Sequence, residues 1–236
     1  MADYIDKNIL CQAYVHIELP EGITQEKLAA IKEDLTRFAT LRGKFFVYPE
    51  VDVSVEFRDG SLKSYISIAG IIIVAIEGYG SFREGIDYLH TDIKRLADSL
   101  VSESLFMTGA KHQQIVRTEA RTGIIGSLKV LVDDMNNLEA SIGQIPTDEA
   151  GRRIKRIKDD ADALLTNVRS EEDSKGIESE ISEFTKKLPD RWPNPTDRRP
   201  DDAAIIAYND CLLELRRAYQ RDKYRKNYPV PTPPES

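Results

Sequence analysis

Residues 51–100 read VDVSVEFRDGSLKSYISIAGIIIVAIEGYGSFREGIDYLHTDIKRLADSL. Val51, Val53, Val55 and Phe57 alternate with Asp52, Ser54 and Glu56, the period of two that buries one face of a strand. Asp59-Gly60 then favours positive φ at both central positions of a two-residue hairpin. Leu62, Tyr65, Ile66 and Ile68 supply the returning strand. The run IIIVAI that follows Gly70 is apolar on every side, so it reads equally as a fully buried strand or a short buried helix. Ser81-Phe82-Arg83-Glu84 has the S-x-x-E pattern of a capping box, in which Ser81 accepts from the Glu84 amide and Glu84 returns to the Ser81 amide. Beyond it Ile86, Leu89, Ile93, Leu96, Ala97 and Leu100 fall on one helical face, with Asp87, Asp92, Lys94, Arg95 and Asp98 turned outward.

Towards the N-terminus, residues 9–19 alternate Ala13, Val15 and Ile17 with Tyr14, His16 and Glu18, a first strand stopped by Pro20 and Gly22. Thr24 caps an expected helix that turns Leu28, Ile31, Leu35 and Phe38 inward, and Gly43 lies where it should end. Residues 45–48 then read as a short strand or as the lead-in to the hairpin. Strand, helix, two strands, buried segment and helix together imply a small sheet covered on one face.

After Met107 no strand pattern is evident, and charged helix-forming residues dominate, so the expected boundary is Thr108-Gly109. Leu128, Leu131, Met135, Leu138, Ile142 and Ile145 keep a 3-4-3-4-3 spacing, the seam of a coiled-coil-like helix ended by Gly143 and Pro146. Thr147 can cap the next helix, where Ile154, Ile157, Ala161, Leu164 and Val168 repeat the spacing. Two such helices joined by a short turn make an antiparallel hairpin. The polar run 169–176 marks a break or a bend before Ile177, Ile181, Phe184 and Leu188. The prolines of 189–200 exclude continuous helix, and Trp192 is expected to anchor that crossover to a core. A last helix should carry Ile205, Tyr208, Leu212, Leu215 and Tyr219 on one face. The expected organisation is α+β: a strand-containing unit at 1–108, a helical hairpin or bundle at 109–188, a proline-rich crossover or linker at 189–200, a helix at 201–228 and a disordered tail at 229–236.

With 236 residues, 41% of them hydrophobic and 31% charged, the chain can bury a substantial core without disulfides. A net charge of -7 argues against a generic polyanion-binding surface, although a local basic patch survives within an acidic whole. Two cysteines without metal-ligand spacing, Cys11 and Cys211, suit a reducing cytoplasm. Residues 1–20 carry Asp3, Asp6, Lys7, His16 and Glu18, which does not fit a secretory leader. The best membrane candidate, residues 66–76, falls well short of the roughly 20 apolar residues a spanning helix needs.

No catalytic arrangement is found. His16, His90 and His112 sit in separate elements, with no H-x-x-x-H, C-x-x-C or G-x-S-x-G, and neither a metal site nor a cofactor is expected. A ligand candidate lies at Gly78, Tyr79, Gly80, Ser81 and Arg83, where amides at a helix start and a flanking guanidinium would hold phosphate or carboxylate. The plainer account is that the glycines turn the chain, Ser81 caps and Arg83 pairs with an acid. Nucleic-acid candidates form two clusters, Arg152, Arg153, Lys155, Arg156 and Lys158, then Arg217, Arg221, Lys223, Arg225 and Lys226 among Tyr219, Tyr224 and Tyr228. Asp159, Asp160 and Asp162 can pair with the first, and the helix dipole favours the second.

The 3-4 seams assign the interface to Leu128, Leu131, Met135, Leu138, Ile142, Ile154, Ile157 and Leu164. The leading expectation is a non-enzymatic interaction protein of bacterial style that assembles with a second copy or another protein. The alternatives are a small-ligand or nucleotide sensor in a stress or defence system, using residues 78–83, and a membrane-acting effector using residues 66–76. Nucleic acid is the lesser partner expectation.

Overall fold

The computed structural model describes residues 9–18, 23–47, 51–58, 62–76, 80–194 and 201–220. The elements run β1 Ile9–Ile17, α1 Gln25–Val47, β2 Val51–Arg58, β3 Leu62–Gly70, α2 Ile72–Ile76 and α3 Phe82–Thr108. A 3₁₀ turn at His112–Gln114 leads to β4 Ile115–Arg121, then α4 Gly123–Ala140, α5 Thr147–Asn167, α6 Glu171–Lys187 and α7 Asp202–Tyr219. By contacts the chain forms two compact units, one drawn from Met1–Val130 with Leu164–Ser174, the other from Leu131–Ala163 with Lys175–Ser236.

The first unit is built on a four-stranded antiparallel sheet in the order β2-β3-β1-β4. With α1 between β1 and β2 and α3 between β3 and β4, this is the β-α-β-β-α-β order of a ferredoxin-like split unit, with α2 as an addition. Val55 pairs Ile66 and Val53 pairs Ile68, which places the hairpin's apolar residues on one face as the alternation requires. The turn residues Asp59 and Gly60 lie outside the described residues. Val15, Ile17 and Leu62 on that face pack with Leu28 of α1 and with Val101 and Leu105 of α3. From α3, Ile86, Leu89, Ile93, Leu96, Ala97 and Leu100 are all fully buried. Each of the isoleucine and leucine side chains among them contributes roughly 1.5–3 kcal/mol.

Two sequence expectations change here, and one open alternative is settled. The helix expected to stop at Gly43 continues to Val47, so the strand or lead-in at 45–48 is helical as far as Val47. Gly43 serves a close approach instead, since a Cβ there would lie 2.9 Å from the Val51 side chain. The apolar run after Gly70 is a helix, α2, with Ile72, Ala75 and Ile76 buried. A strand does follow Met107. β4, IVRTEAR, pairs with β1 along the sheet edge, and its even mix of half-buried and exposed positions hides the period. Residues 66–76 are thus divided between β3 and α2, and among the described residues no helix is long and apolar enough to cross a membrane.

At one end of this unit a buried carboxylate closes a helix start. Ser170 Oγ accepts from the Asp173 amide at 3.2 Å, beginning α6 after the break at 168–170. Asp173, fully buried, accepts in turn from the Ile73 amide of α2 at 2.8 Å. Burial pushes its carboxyl above the usual range, against the backbone hydrogen bonds from Ile73 and Ile72.

In the second unit the parts of α4, α5 and α6 that belong to it join α7. Leu138, Ile154, Ala161, Ile181, Phe184 and Leu215 are fully buried. Trp192 anchors the crossover: it is 3% exposed, donates from Nε1 to the Ile145 carbonyl at 2.9 Å and packs on Tyr208 with ring centroids 5.7 Å apart. Tyr208 Oη donates to the Pro189 carbonyl at 2.5 Å, and burial pushes its phenol up to about 12. Arg216 donates to the Leu188 carbonyl at 2.9 Å and pairs with Asp190, so α7 holds the start of the link. Asp201 caps α7 by accepting from the Ala203 amide. Residues 195–200 and the tail 229–236 lie outside the described residues.

Candidate functional site

At the start of α3, Gly80 has φ +94° and Ser81 is exposed. Ser81 Oγ accepts from the Glu84 amide at 3.4 Å and donates to Glu84 Oε2 at 3.1 Å. A carboxylate of the chain itself therefore stands at this helix start, where an anionic ligand would have to compete with it. Arg83 is half-buried in the first turn, and Gly78 and Tyr79 lie outside the described residues.

On α5 the first basic cluster is laced with acids. Arg152 pairs with Asp148 at 2.9 Å and Glu149 at 2.8 Å, Arg153 with Glu149 at 2.9 Å, Arg156 with Asp134 at 3.2 Å and Asp160 at 3.5 Å. Lys158 pairs with Asp162 at 2.8 Å, and Lys155 is exposed. Hydrogen bonds from Arg152 and then Arg153 hold the Glu149 carboxyl below its usual range, while that to Asp162 raises Lys158. Arg152, Arg153 and Arg156 share a groove of about 550 Å³ with Asp134, Asn137, Glu149 and Ile157. Three guanidiniums meet two carboxylates there, and exposed pairs of this kind contribute about 0–1 kcal/mol each. Of the second cluster Arg217 is exposed near the end of α7, and Arg221, Lys223, Arg225 and Lys226 lie outside the described residues.

The seam residues are placed inside the chain. Leu128, Leu131, Met135, Leu138, Ile154 and Ile157 are at most 1% exposed and Leu164 is 4% exposed; α4 ends at Ala140, leaving Ile142 half-buried in the following turn. They serve as core, so a surface for partners has to be sought elsewhere.

Two surfaces were hidden from the sequence reading. On α1, Leu41 is 66% and Phe45 75% exposed one turn apart, beside half-buried Phe38 with Arg42 lying 5.5 Å above its ring. Phe45 meets Phe46 edge-on at 5.0 Å. The i, i+4 spacing carries this signal, and stopping the helix at Gly43 concealed it. The second is the sheet face turned away from α1 and α3. Tyr14 and Tyr65 are cross-strand partners with centroids 5.0 Å apart. Arg58 lies 4.6 Å over Tyr65 and Arg121 lies 5.0 Å over Tyr14. Gln12 ties this face together, donating to Ser67 Oγ at 2.8 Å and accepting from Arg121 at 2.7 Å, while Glu119 pairs with Arg117 and Arg121. Burial raises the Tyr14 phenol, keeping it a donor.

His16 stands beside Tyr14 on this face, His90 on α3 and His112 in the 3₁₀ turn. Among the described residues no group of three or more His, Cys, Asp or Glu side chains converges to hold a metal ion. Burial pushes the Cys11 thiol up to about 12, which leaves it unreactive. No protein-family model, curated protein or solved structure matches the chain.

Proposed function

We propose that this chain is a non-enzymatic interaction protein that assembles with a second copy or with another protein, and that α1 supplies the contact. The supporting observation is the exposed pair Leu41 and Phe45 beside Phe38. Single exposed apolar side chains such as Phe106 and Ile206 are ordinary on protein surfaces. Leu41 and Phe45 differ because they repeat at i, i+4 on one helix and are continuous with Phe38, the arrangement of a helix that buries a second apolar stripe against a partner. Covering each would contribute roughly 1.5–3 kcal/mol. The free thiols Cys11 and Cys211 support a reducing, cytoplasmic setting.

Light scattering after size exclusion across a range of concentrations tests this reading. The native chain should gain mass with concentration or carry a co-purifying protein, and Leu41→Ser with Phe45→Ser should abolish that behaviour while circular dichroism stays unchanged. A chain that remains monomeric at every concentration and retains no partner would refute the proposal.

A further inference from the structure

The outer face of the sheet combines two kinds of side chain that have separate reasons to be elsewhere. A sheet face turned away from the helices needs no aromatic pair at its centre, yet Tyr14, 8% exposed, and half-exposed Tyr65 meet there. A protein of net charge -7 needs no cations gathered on one surface, yet Arg58, Lys63, Arg117 and Arg121 all project from it, by the register and the alternation of the pleat. The arginines are held in place: Arg121 by Gln12 and Glu119, and Arg117 by Glu119. Arg58 pairs with Glu56 at 3.4 Å, and its side chain is 56% exposed, as is 66% of that of Arg117. Packing within the sheet explains the tyrosine pair as a cross-strand contact, but not the guanidiniums laid over both rings.

From this juxtaposition we infer that the outer sheet face binds single-stranded nucleic acid. Bases stack on Tyr65 and on the guanidinium of Arg58 above it, and phosphates lie along Arg117 and Lys63. A flat aromatic and cationic surface suits splayed bases, since every base offers a π face and stacking tolerates any sequence. Undistorted duplex is disfavoured because its bases stack on one another and offer no free π face, and its major groove admits only a helix or a two-stranded ribbon. Asp52, Glu56 and Glu119 are interleaved with the four cations, so stacking and not charge carries the affinity, and the salt dependence is shallow.

Fluorescence anisotropy on the full chain tests it, using labelled single-stranded DNA and RNA of about 12 nucleotides and the matching duplex. Single strands should bind in preference to duplex. Tyr65→Leu, which keeps a strand-compatible side chain, should weaken binding roughly 5- to 100-fold, the loss of one stacked base. Lys63→Gln with Arg117→Gln should flatten the log–log salt slope by about 0.7 per phosphate contact removed. Both variants change exposed or half-exposed side chains, and their circular dichroism and melting should match the parent. Absence of binding at on the order of 100 µM protein, the weak limit of phosphate contact, overturns the proposal. So does binding that survives these variants but is lost in Arg152→Gln with Arg156→Gln, or equal, Tyr65-independent capture of heparin or anionic vesicles.

Discussion

Gly123 has φ +49°, and a Cβ on it would stand 2.0 Å from the Ile9 carbonyl oxygen and 3.0 Å from that of Leu10. Both the backbone region and the space exclude a side chain, so Gly123→Ala should cost about 2–5 kcal/mol, read as a fall in the midpoint of urea unfolding. Asp173 makes the opposite kind of statement, because its carboxyl is buried with its ionisation opposed. A folded-state value raised above the unfolded one means that the native state holds the proton longer. The contribution of Asp173 is therefore fully present below the unfolded value and is lost as pH rises through the folded one. Asp173→Asn keeps an oxygen for the Ile73 amide and removes the titration, so its stability relative to wild type should improve steadily from about pH 4, near the unfolded carboxyl value, towards neutrality. A difference that stays flat over that interval would show that Asp173 is not the group responsible. Asp173→Ala, which leaves the amide without its acceptor, should cost about 1–3 kcal/mol below the unfolded carboxyl value, and that cost should shrink as pH rises.

Among the elements, those whose apolar residues follow one period were legible in the sequence, and those defined by pairing or contact were not. The six inward residues of α3 and its Ser81 cap could be read directly, because an S-x-x-E start and a 3.6-residue stripe are local signals, although Glu84 accepts from the Ser81 hydroxyl where the box called for the amide. The strand β4 could not be, because its place is set by hydrogen bonds to β1 a hundred residues earlier and its edge position leaves both faces half-wet. The end of α1 was misplaced for a similar reason: Gly43 looks like a stop until the sheet that presses on it is known. The Trp192 crossover was readable in outline, since a tryptophan among prolines has little reason to stay in water. Its energetic weight is testable. Trp192→Phe keeps the packing but strands the Ile145 carbonyl and should cost about 1–3 kcal/mol, whereas Trp192→Ala should cost about 3–5 kcal/mol. Thermal unfolding that distinguishes the two would separate the hydrogen bond from the ring.

For the whole molecule, the α+β class followed from the change of pattern along the chain, but the candidate sites did not. Tyr14 and Tyr65 are joined only by strand register, and no local motif announces a surface that exists only once β1 and β3 lie side by side. Likewise the seams of α4 and α5 declared that they would be buried without declaring against what, and the chain's own core answered. The sheet-bearing unit is also discontinuous, taking Leu164–Ser174 after a stretch that belongs to the other unit. Translation delivers residues in order, so the four strands leave the ribosome long before the carboxylate that closes the start of α2. A nascent chain halted after Arg121 and short of residue 173 has all four strands and the Ile73 amide still waiting. Order of synthesis and order of completion thus differ: residues 131–163 of the second unit are made while the first is still unfinished.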